Sequence, residues 1–374
     1  MSFAGFKTTG PSCCCGCNII YLGLDNGTVG WRALHNTGTF PSNEVEIDDP
    51  PTLLSNTQAR RITIDHRNEL GFGVRLSGGN LLIDKYQLDD LMDFTARTTI
   101  HTIPNTTPSD TRGLCCDWVN GRVYYSRCTV AGVAGAVPWE YEIRRVDYDG
   151  SNDTLLNTES LNPGPVLGGP PQLYGFAWEP SNNYLFYATQ LNVDIGGAVG
   201  TNSYAYIQRL DADDGSGYTT IKSYEDAVNA LGDSSIRGLC VNASEAKLAW
   251  ISFQQLGSVN TTQTIRYADF DGTGEVTLLS EVGISSHSIQ HCVVNNKENK
   301  LWFHNFASSG SVGRISRIPF TAGLSTSDIE TIMHSDQSTF GSYDIVGAAN
   351  GLMFGCGMET LGAGYAGGTQ SSEL

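Results

Sequence analysis

The sequence predicts an all-β chain, a six-bladed β-propeller of four-stranded antiparallel blades closed by a composite blade from the two ends. Three observations carry this. A third-strand pattern, Ile followed five residues later by an apolar side chain and then a turn residue, occurs six times, beginning at Ile19, Ile83, Ile143, Ile207, Ile265 and Ile315. A second-strand pattern, an aliphatic residue two before an aromatic, also occurs six times: Leu70–Phe72, Val123–Tyr125, Leu185–Tyr187, Leu248–Trp250, Leu301–Phe303 and Leu352–Phe354. The two series are offset, since Ile19 has no second strand before it and Leu352 no third strand after it. A ring closes if Tyr343–Ala348 and Leu352–Met358 join Asn18–Leu24 and Thr28–Leu34 in one sheet, which removes the free edges of an open array.

The clearest single copy is Arg112–Leu156. Its four short apolar runs are Gly113–Trp118, Arg122–Ser126, Tyr141–Asp147 and Asp153–Leu156. Asn120-Gly121 and Asp149-Gly150 fall at the first and third joints, and such dipeptides supply the φ > 0 residues of a tight hairpin. The remaining units read as 59–110, 172–234, 236–288 and 289–339, with 50–58 as the crossover into the second unit. Residues 1–16 form a Cys-rich tail, 17–358 the propeller and 359–374 a Gly/Ser-rich tail.

Within that copy, DWVNGRVYYS followed by IRRVDYDGSNDTLL resembles the YWTD repeat, the class B repeat of low-density-lipoprotein-receptor-type propellers. Tyr124-Tyr125-Ser126-Arg127 stands where that family has its tetrad, and the fit is partial at 236–279; the tetrad itself is absent from all six copies. The resemblance implies a six-bladed propeller and brings no catalytic residues with it.

At 374 residues the length suits one propeller, and 43 Gly suit a turn-dense β protein. The net charge of −17 argues against a nucleic-acid backbone or an anionic membrane as partner, because both call for Lys/Arg patches. No basic start followed by an apolar run opens the chain, and no stretch has the length of a membrane span. The expectation is a protein made in the cytoplasm, virion-associated or released by lysis. Asn26, Asn105, Asn152, Asn242 and Asn260 precede x-Ser/Thr and read as turn residues.

Four of the ten Cys lie in Cys13-Cys14-Cys15-Gly16-Cys17. Three adjacent cysteines fit one tetrahedral ion poorly, which leaves packed thiols, disulfides or a metal as alternatives. Closure puts Cys356 in the blade of Cys17, so that pair is the candidate disulfide. Cys115, Cys240 and Cys292, with Ala177, line up on the innermost strands as small core side chains.

His287 and His291 are spaced as on a metal-binding helix but sit at a crossover entering a strand. Asp147, Asp149 and Asn152, like Asp269, Asp271 and Glu275, resemble calcium loops that lack the terminal bidentate Glu, and hairpin chemistry accounts for them. No nucleophile elbow, phosphate loop or HExxH occurs, so no catalytic, cofactor-binding or metal residues are assigned and no cofactor is expected.

The expected function follows from the loops. Tight hairpins share one face, whereas 129–140, 191–203 and 254–262 and the crossovers 102–111 and 157–171 share the other. Val130, Val133, Val137, Trp139, Val193, Ile195 and Val199 make two of these loops apolar enough to be contact surface. The expectation is a non-catalytic structural propeller with protein partners in a larger or homo-oligomeric assembly, such as a phage tail or surface component. The alternatives are a hydrolase or lactonase with a site at the channel mouth, and an extracellular YWTD-type ligand-binding module.

Overall fold

A computed structural model describes residues 18–25, 29–36, 45–46, 59–65, 68–88, 94–104, 113–133, 136–161, 172–194, 201–226, 233–256, 259–282, 287–295, 299–307, 314–334 and 352–355. The expected strand at 343–348, the crossover 50–58, both tails and Cys17 and Cys356 lie outside them.

Five sheets carry the full antiparallel set of four strands. Blade 1 comprises β4 (Ala59–Asp65), β5 (Leu70–Ser77), β6 (Asn80–Leu88) and β7 (Phe94–Ile103). Blade 2 holds β8 (Leu114–Asp117), β9 (Arg122–Val130), β10 (Trp139–Asp147) and β11 (Thr154–Leu161). In blade 3 these positions are β12 (Gln172–Glu179), β13 (Tyr184–Asp194), β14 (Thr201–Asp211) and β15 (Thr219–Asp226). Blade 4 runs through β16 (Asp233–Asn242), β17 (Lys247–Leu256), β18 (Val259–Asp269) and β19 (Val276–Val282). Blade 5 has β20 (His287–Asn295), β21 (Lys300–Ala307), β22 (Arg314–Pro319) and β23 (Glu330–His334).

The sixth sheet is three-stranded among the described residues: β1 (Asn18–Asp25) lies between β2 (Val29–Asn36) and β24 (Leu352–Gly355). Tyr21 pairs with Met353 and Ile19 with Gly355, so the two ends of the chain share a sheet as the offset patterns required. The first strands neighbour one another in sequence around the molecule, and β24 lies beside both β20 and β4. One addition was unforeseen. The two-residue β3 (Val45–Glu46) runs parallel to β23 as a fifth strand on the outer edge of blade 5.

The core lies between blades. Each main apolar cluster straddles a boundary, blade 1 with 2, 2 with 3, 3 with 4 and 4 with 5. The second-strand aromatics Phe72, Tyr125, Tyr187, Trp250 and Phe303 are all fully buried there. This is why the aliphatic-x-aromatic pattern recurs, because alternate residues of a pleated strand share one face.

The hairpins between first and second strands follow a rule that the dipeptide reading missed. The last residue of the first strand is Asp65, Asp117, Glu179 or Asn242, each with no exposed surface, and its side chain caps the turn. Asp117 Oδ1 accepts from the Val119 and Asn120 backbone N–H groups at 2.9 Å, and the Glu179 carboxylate takes the Ser181 and Asn182 N–H groups at 2.6 and 2.8 Å. Four residues on, Glu69, Gly121, Asn183 and Ala246 have φ of 54°, 67°, 56° and 53°. Only the second member of Asn120-Gly121 takes positive φ, so the turn is a capped four-residue loop and not a two-residue hairpin turn. Asp149-Gly150 behaves alike, with Gly150 at 87°.

The third-strand pattern acquires a cause as well. The apolar residue five after Ile83, Ile143, Ile207 and Ile315 opens the hairpin between third and fourth strands, and its N–H donates to the left-handed residue of the other hairpin. The pairs are Leu88 to Glu69, Tyr148 to Gly121, Ala212 to Asn183 and Phe320 to Asn299, all at 2.9 Å. Both hairpins of a blade are thereby tied together on one face. From there the side chain reaches the preceding blade, as Tyr148 does against Phe72 and Phe270 against Phe186.

The glycine of this second hairpin also meets the preceding blade. A Cβ built on Gly150, Gly215 or Gly272 would stand 2.0, 2.0 or 2.2 Å from the carbonyl oxygen of Ile100, Leu156 or Ile221, each on the outer strand of the blade before. On the inner strands, Cys115, Ala177 and Cys240 each precede the capping residue by two. Cys292 precedes Asn295 by three, so it stands one residue out of register with the other cysteines. Its structural equivalents are Leu114, Phe176 and Leu239, which place it against blade 4.

Candidate contact face

The face opposite the paired hairpins is built from extended strands where loops were expected. β9 and β10 carry the 129–140 segment as a ribbon: Glu140 pairs with Val130, and a further bridge joins Val133 to Val137. Residues 191–194 and 201–203 continue β13 and β14 in unbroken register from Leu191↔Tyr204 to Asp194↔Thr201. The 254–262 segment also pairs out to Leu256↔Val259, with a register shift between Gln254 and Gln255. Alternation of small, apolar and Thr residues satisfies a paired strand as readily as a loop, which is why composition alone misread these stretches.

The blade 2 ribbon is anchored at its base and apolar at its tip. Val133 N–H donates to the Val137 carbonyl at 2.8 Å and receives the reverse bond at 2.9 Å. The half-buried Trp139 packs on the core between blades 2 and 3. Its indole covers Gly132, where an added Cβ would fall 2.4 Å from Cδ1. Val130 is also half-buried, whereas Val133 is 58% and Val137 41% exposed. Val193 lies in β13 opposite Asn202. Ile195 and Val199 lie outside the described residues.

Two polar clusters join blade 2 to its neighbours. Between blades 1 and 2, Asp153 accepts from Tyr125 Oη at 2.7 Å and from Arg144 Nε and Nη2 at 2.9 and 3.0 Å, with His101 Nε2 at 3.5 Å. Glu142 takes Arg144 Nη1 at 2.8 Å and Arg127 Nη2 at 2.7 Å. Burial pushes the Asp153 carboxyl up, but the hydrogen bonds from His101, Arg144 and Tyr125 outweigh it and hold the group well below the usual carboxylate range. Between blades 2 and 3, the buried Glu159 accepts from Tyr187 Oη at 2.6 Å and Asn157 Nδ2 at 2.9 Å. Its neighbours there are neutral donors, and burial raises its pKa despite them.

The calcium-like carboxylates are engaged in their own turns. Asp149 Oδ1 accepts from Ser151 N–H and Oγ at 2.8 and 2.6 Å, and Asp271 Oδ1 from Thr273 N–H and Oγ1 at 2.9 and 2.7 Å. Asn152 Nδ2 reaches Asp147 at 2.7 Å, and Glu275 pairs with Lys222 and Arg266, both at 2.8 Å. His287 and His291 both fall within β20, with a bulge between Ile289 and His291. Among the described residues no three His, Cys, Asp or Glu side chains converge as a metal site would require.

No family model matches the chain, and no curated protein does either. The YWTD resemblance therefore remains one of strand pattern. Solved structures similar to it include a Pseudomonas aeruginosa periplasmic gluconolactonase, at 9% identity over 91% of this chain and 99% of that one, with a TM-score of 0.49. TolB from Acinetobacter baumannii follows at 11% identity, 82% and 61% coverage and a TM-score of 0.48, and a protein from Lactobacillus plantarum at 12%, 85% and 82%, with 0.46. At such identities and TM-scores these neighbours say nothing of ligand or chemistry, and the propeller assignment stands on the strand pairing described above. No helix among the described residues is long and apolar enough to cross a membrane.

Proposed function

We propose that this chain is a non-catalytic β-propeller that makes protein–protein contact, within a larger assembly, through the face carrying the second-to-third strand ribbons. The observation that supports this reading most is the blade 2 ribbon: two bridge-paired valines at 58% and 41% exposure, joined by backbone hydrogen bonds in both directions, on a ribbon whose base is held by a half-buried tryptophan. An apolar tip on a stiff support keeps its shape before contact, so docking costs little ordering entropy. A component of a virion or a comparable particle is the form of assembly this reading favours. The reading also takes the ring as six wedges, with β24, β1 and β2 as the composite sixth; the pairing of Tyr21 with Met353 and the placing of β24 beside β20 and β4 support it.

The test is a double substitution, Val133→Asp with Val137→Asp. Sedimentation velocity of the wild-type chain should show concentration-dependent association that the double variant loses, with circular dichroism and thermal midpoint unchanged. A wild-type chain that sediments as a monomer at every concentration, and that binds assembled particles of its source no better than the double variant, sinks the proposal.

A further inference from the structure

Cys240 on β16 and Cys292 on β20 face one another across the boundary of blades 4 and 5, with their Sγ atoms 3.5 Å apart. We propose that these two thiols are a built disulfide site, which covalently joins two inner strands when the folded protein meets a disulfide oxidant.

The geometry has three parts. First, both side chains are buried in one apolar cluster with Ala249, Ile251, Val294 and Phe303, so each sulfur's position is set by packing. Second, the two strands run close together beside the cysteines. A Cβ on Gly238 would lie 2.8 Å from Cys292 Sγ and 3.0 Å from its backbone N, so the strands approach here only because residue 238 has no side chain. A disulfide needs such proximity, with Cα atoms about 4.4–6.8 Å apart and sulfurs closing to about 2.05 Å. Third, each strand carries a register irregularity just before its cysteine, between Ile236 and Leu239 and between Ile289 and His291. Bulged strands can shift locally without breaking the flanking ladder.

The chemistry balances with a small disulfide, such as 2-hydroxyethyl disulfide, as oxidant. One cysteine thiolate attacks a sulfur of the reagent and expels a mercaptoethanol thiolate, leaving a mixed disulfide. The second cysteine attacks the protein sulfur of that intermediate and expels a second thiolate. Cys240 and Cys292 are oxidised, the reagent is reduced to two thiols, and the two protein protons end on them. Burial first, and then the hydrogen bond with Cys292, raise the Cys240 thiol pKa. Bridging is therefore slow at neutral pH and accelerates with alkalinity, roughly tenfold per pH unit while the thiol form dominates.

The experiment incubates the native full chain with 2-hydroxyethyl disulfide, denatures it in an alkylating agent and maps peptides without reduction. The expected result is a Cys240–Cys292 linked peptide that grows faster at higher pH and disappears in Cys240→Ser and in Cys292→Ser. The same treatment in denaturant should show no preference for this pair among the ten cysteines. Recovery of both residues as alkylated free thiols or as separate mixed disulfides, from native protein whose fold is verified by circular dichroism, overturns the proposal. So does an equal yield of the linked peptide from denatured chain.

Discussion

Single residues set how closely the blades approach. Gly215 has φ of 77°, and a Cβ there would sit 2.0 Å from the Leu156 carbonyl oxygen of the preceding blade. Gly217 lies two residues away with φ of 63° and open space around it. Gly217→Ala should therefore cost about 1 kcal/mol, from backbone strain alone. Gly215→Ala carries the same strain plus a backbone clash that only a shift of one blade relieves, and should cost about 3 kcal/mol or more. Urea unfolding of the two variants side by side measures the difference, and equal losses would mean that the close approach is not what the glycine serves. The residue scale is also where the sequence was least legible. Asp65, Asp117, Glu179 and Asn242 recur at one structural position, yet their identities vary and a left-handed Glu69 or Ala246 does not advertise itself. Asn120-Gly121 drew attention because of its glycine, although the capping carboxylate three residues before it organises the turn.

At the scale of elements, polar side chains clasp some outer strands to the next blade. Asp153, at the start of β11, joins Arg144 and Tyr125 of its own blade to His101 of β7. Asp153→Asn leaves Arg144 partly buried with one acceptor fewer and should cost about 2 kcal/mol at neutral pH. The sign of its pH dependence follows from the depressed pKa. The wild-type advantage is full above the unfolded carboxylate pKa and is lost as pH falls through the folded value, so the gap between the two proteins should begin to narrow below about pH 4 and close only at still lower pH. Thermal midpoints measured against pH check this, and a constant gap down to acid would assign the loss to packing. Strand existence was readable at this scale because buried strands repeat with period two: the five blades follow the Ile and aromatic series, although β16 begins at Asp233 and β20 at His287, two or three residues ahead of the expected limits. Strand length was not. The 191–203 and 254–262 segments carry Asn, Gly and Thr that suit a paired ribbon as well as a loop, and pairing partners decide between them. Nothing in Val45-Glu46 announced a parallel fifth strand, since two residues are too few for a period.

For the whole molecule, the proposed six-wedge ring has its seam at the pairing of β1 with β24. A chain ending before Leu352 should expose the inner edge of β1 and the flanks of β4 and β20. Its thermal midpoint should fall by more than any single substitution above, and its unfolding should broaden as neighbouring blades melt separately. Differential scanning calorimetry reads both, and a midpoint equal to that of the full chain would mean that the three-stranded sheet carries no closing role. The candidate contact face was legible only in part: Val133 and Val137 stand exposed as their apolar context suggested, whereas Trp139 turned inward because Gly132 offers its indole a flat seat. The seam also bears on how the protein is born. β1 leaves the ribosome before any other described strand, while the partner that covers its inner edge is the last of them to be translated. Throughout synthesis this edge must stay open or find a temporary cover, although β2 can pair with the other edge at once, so the nascent chain depends on chaperones most during that wait, and truncated translation products are the species to expect in aggregates.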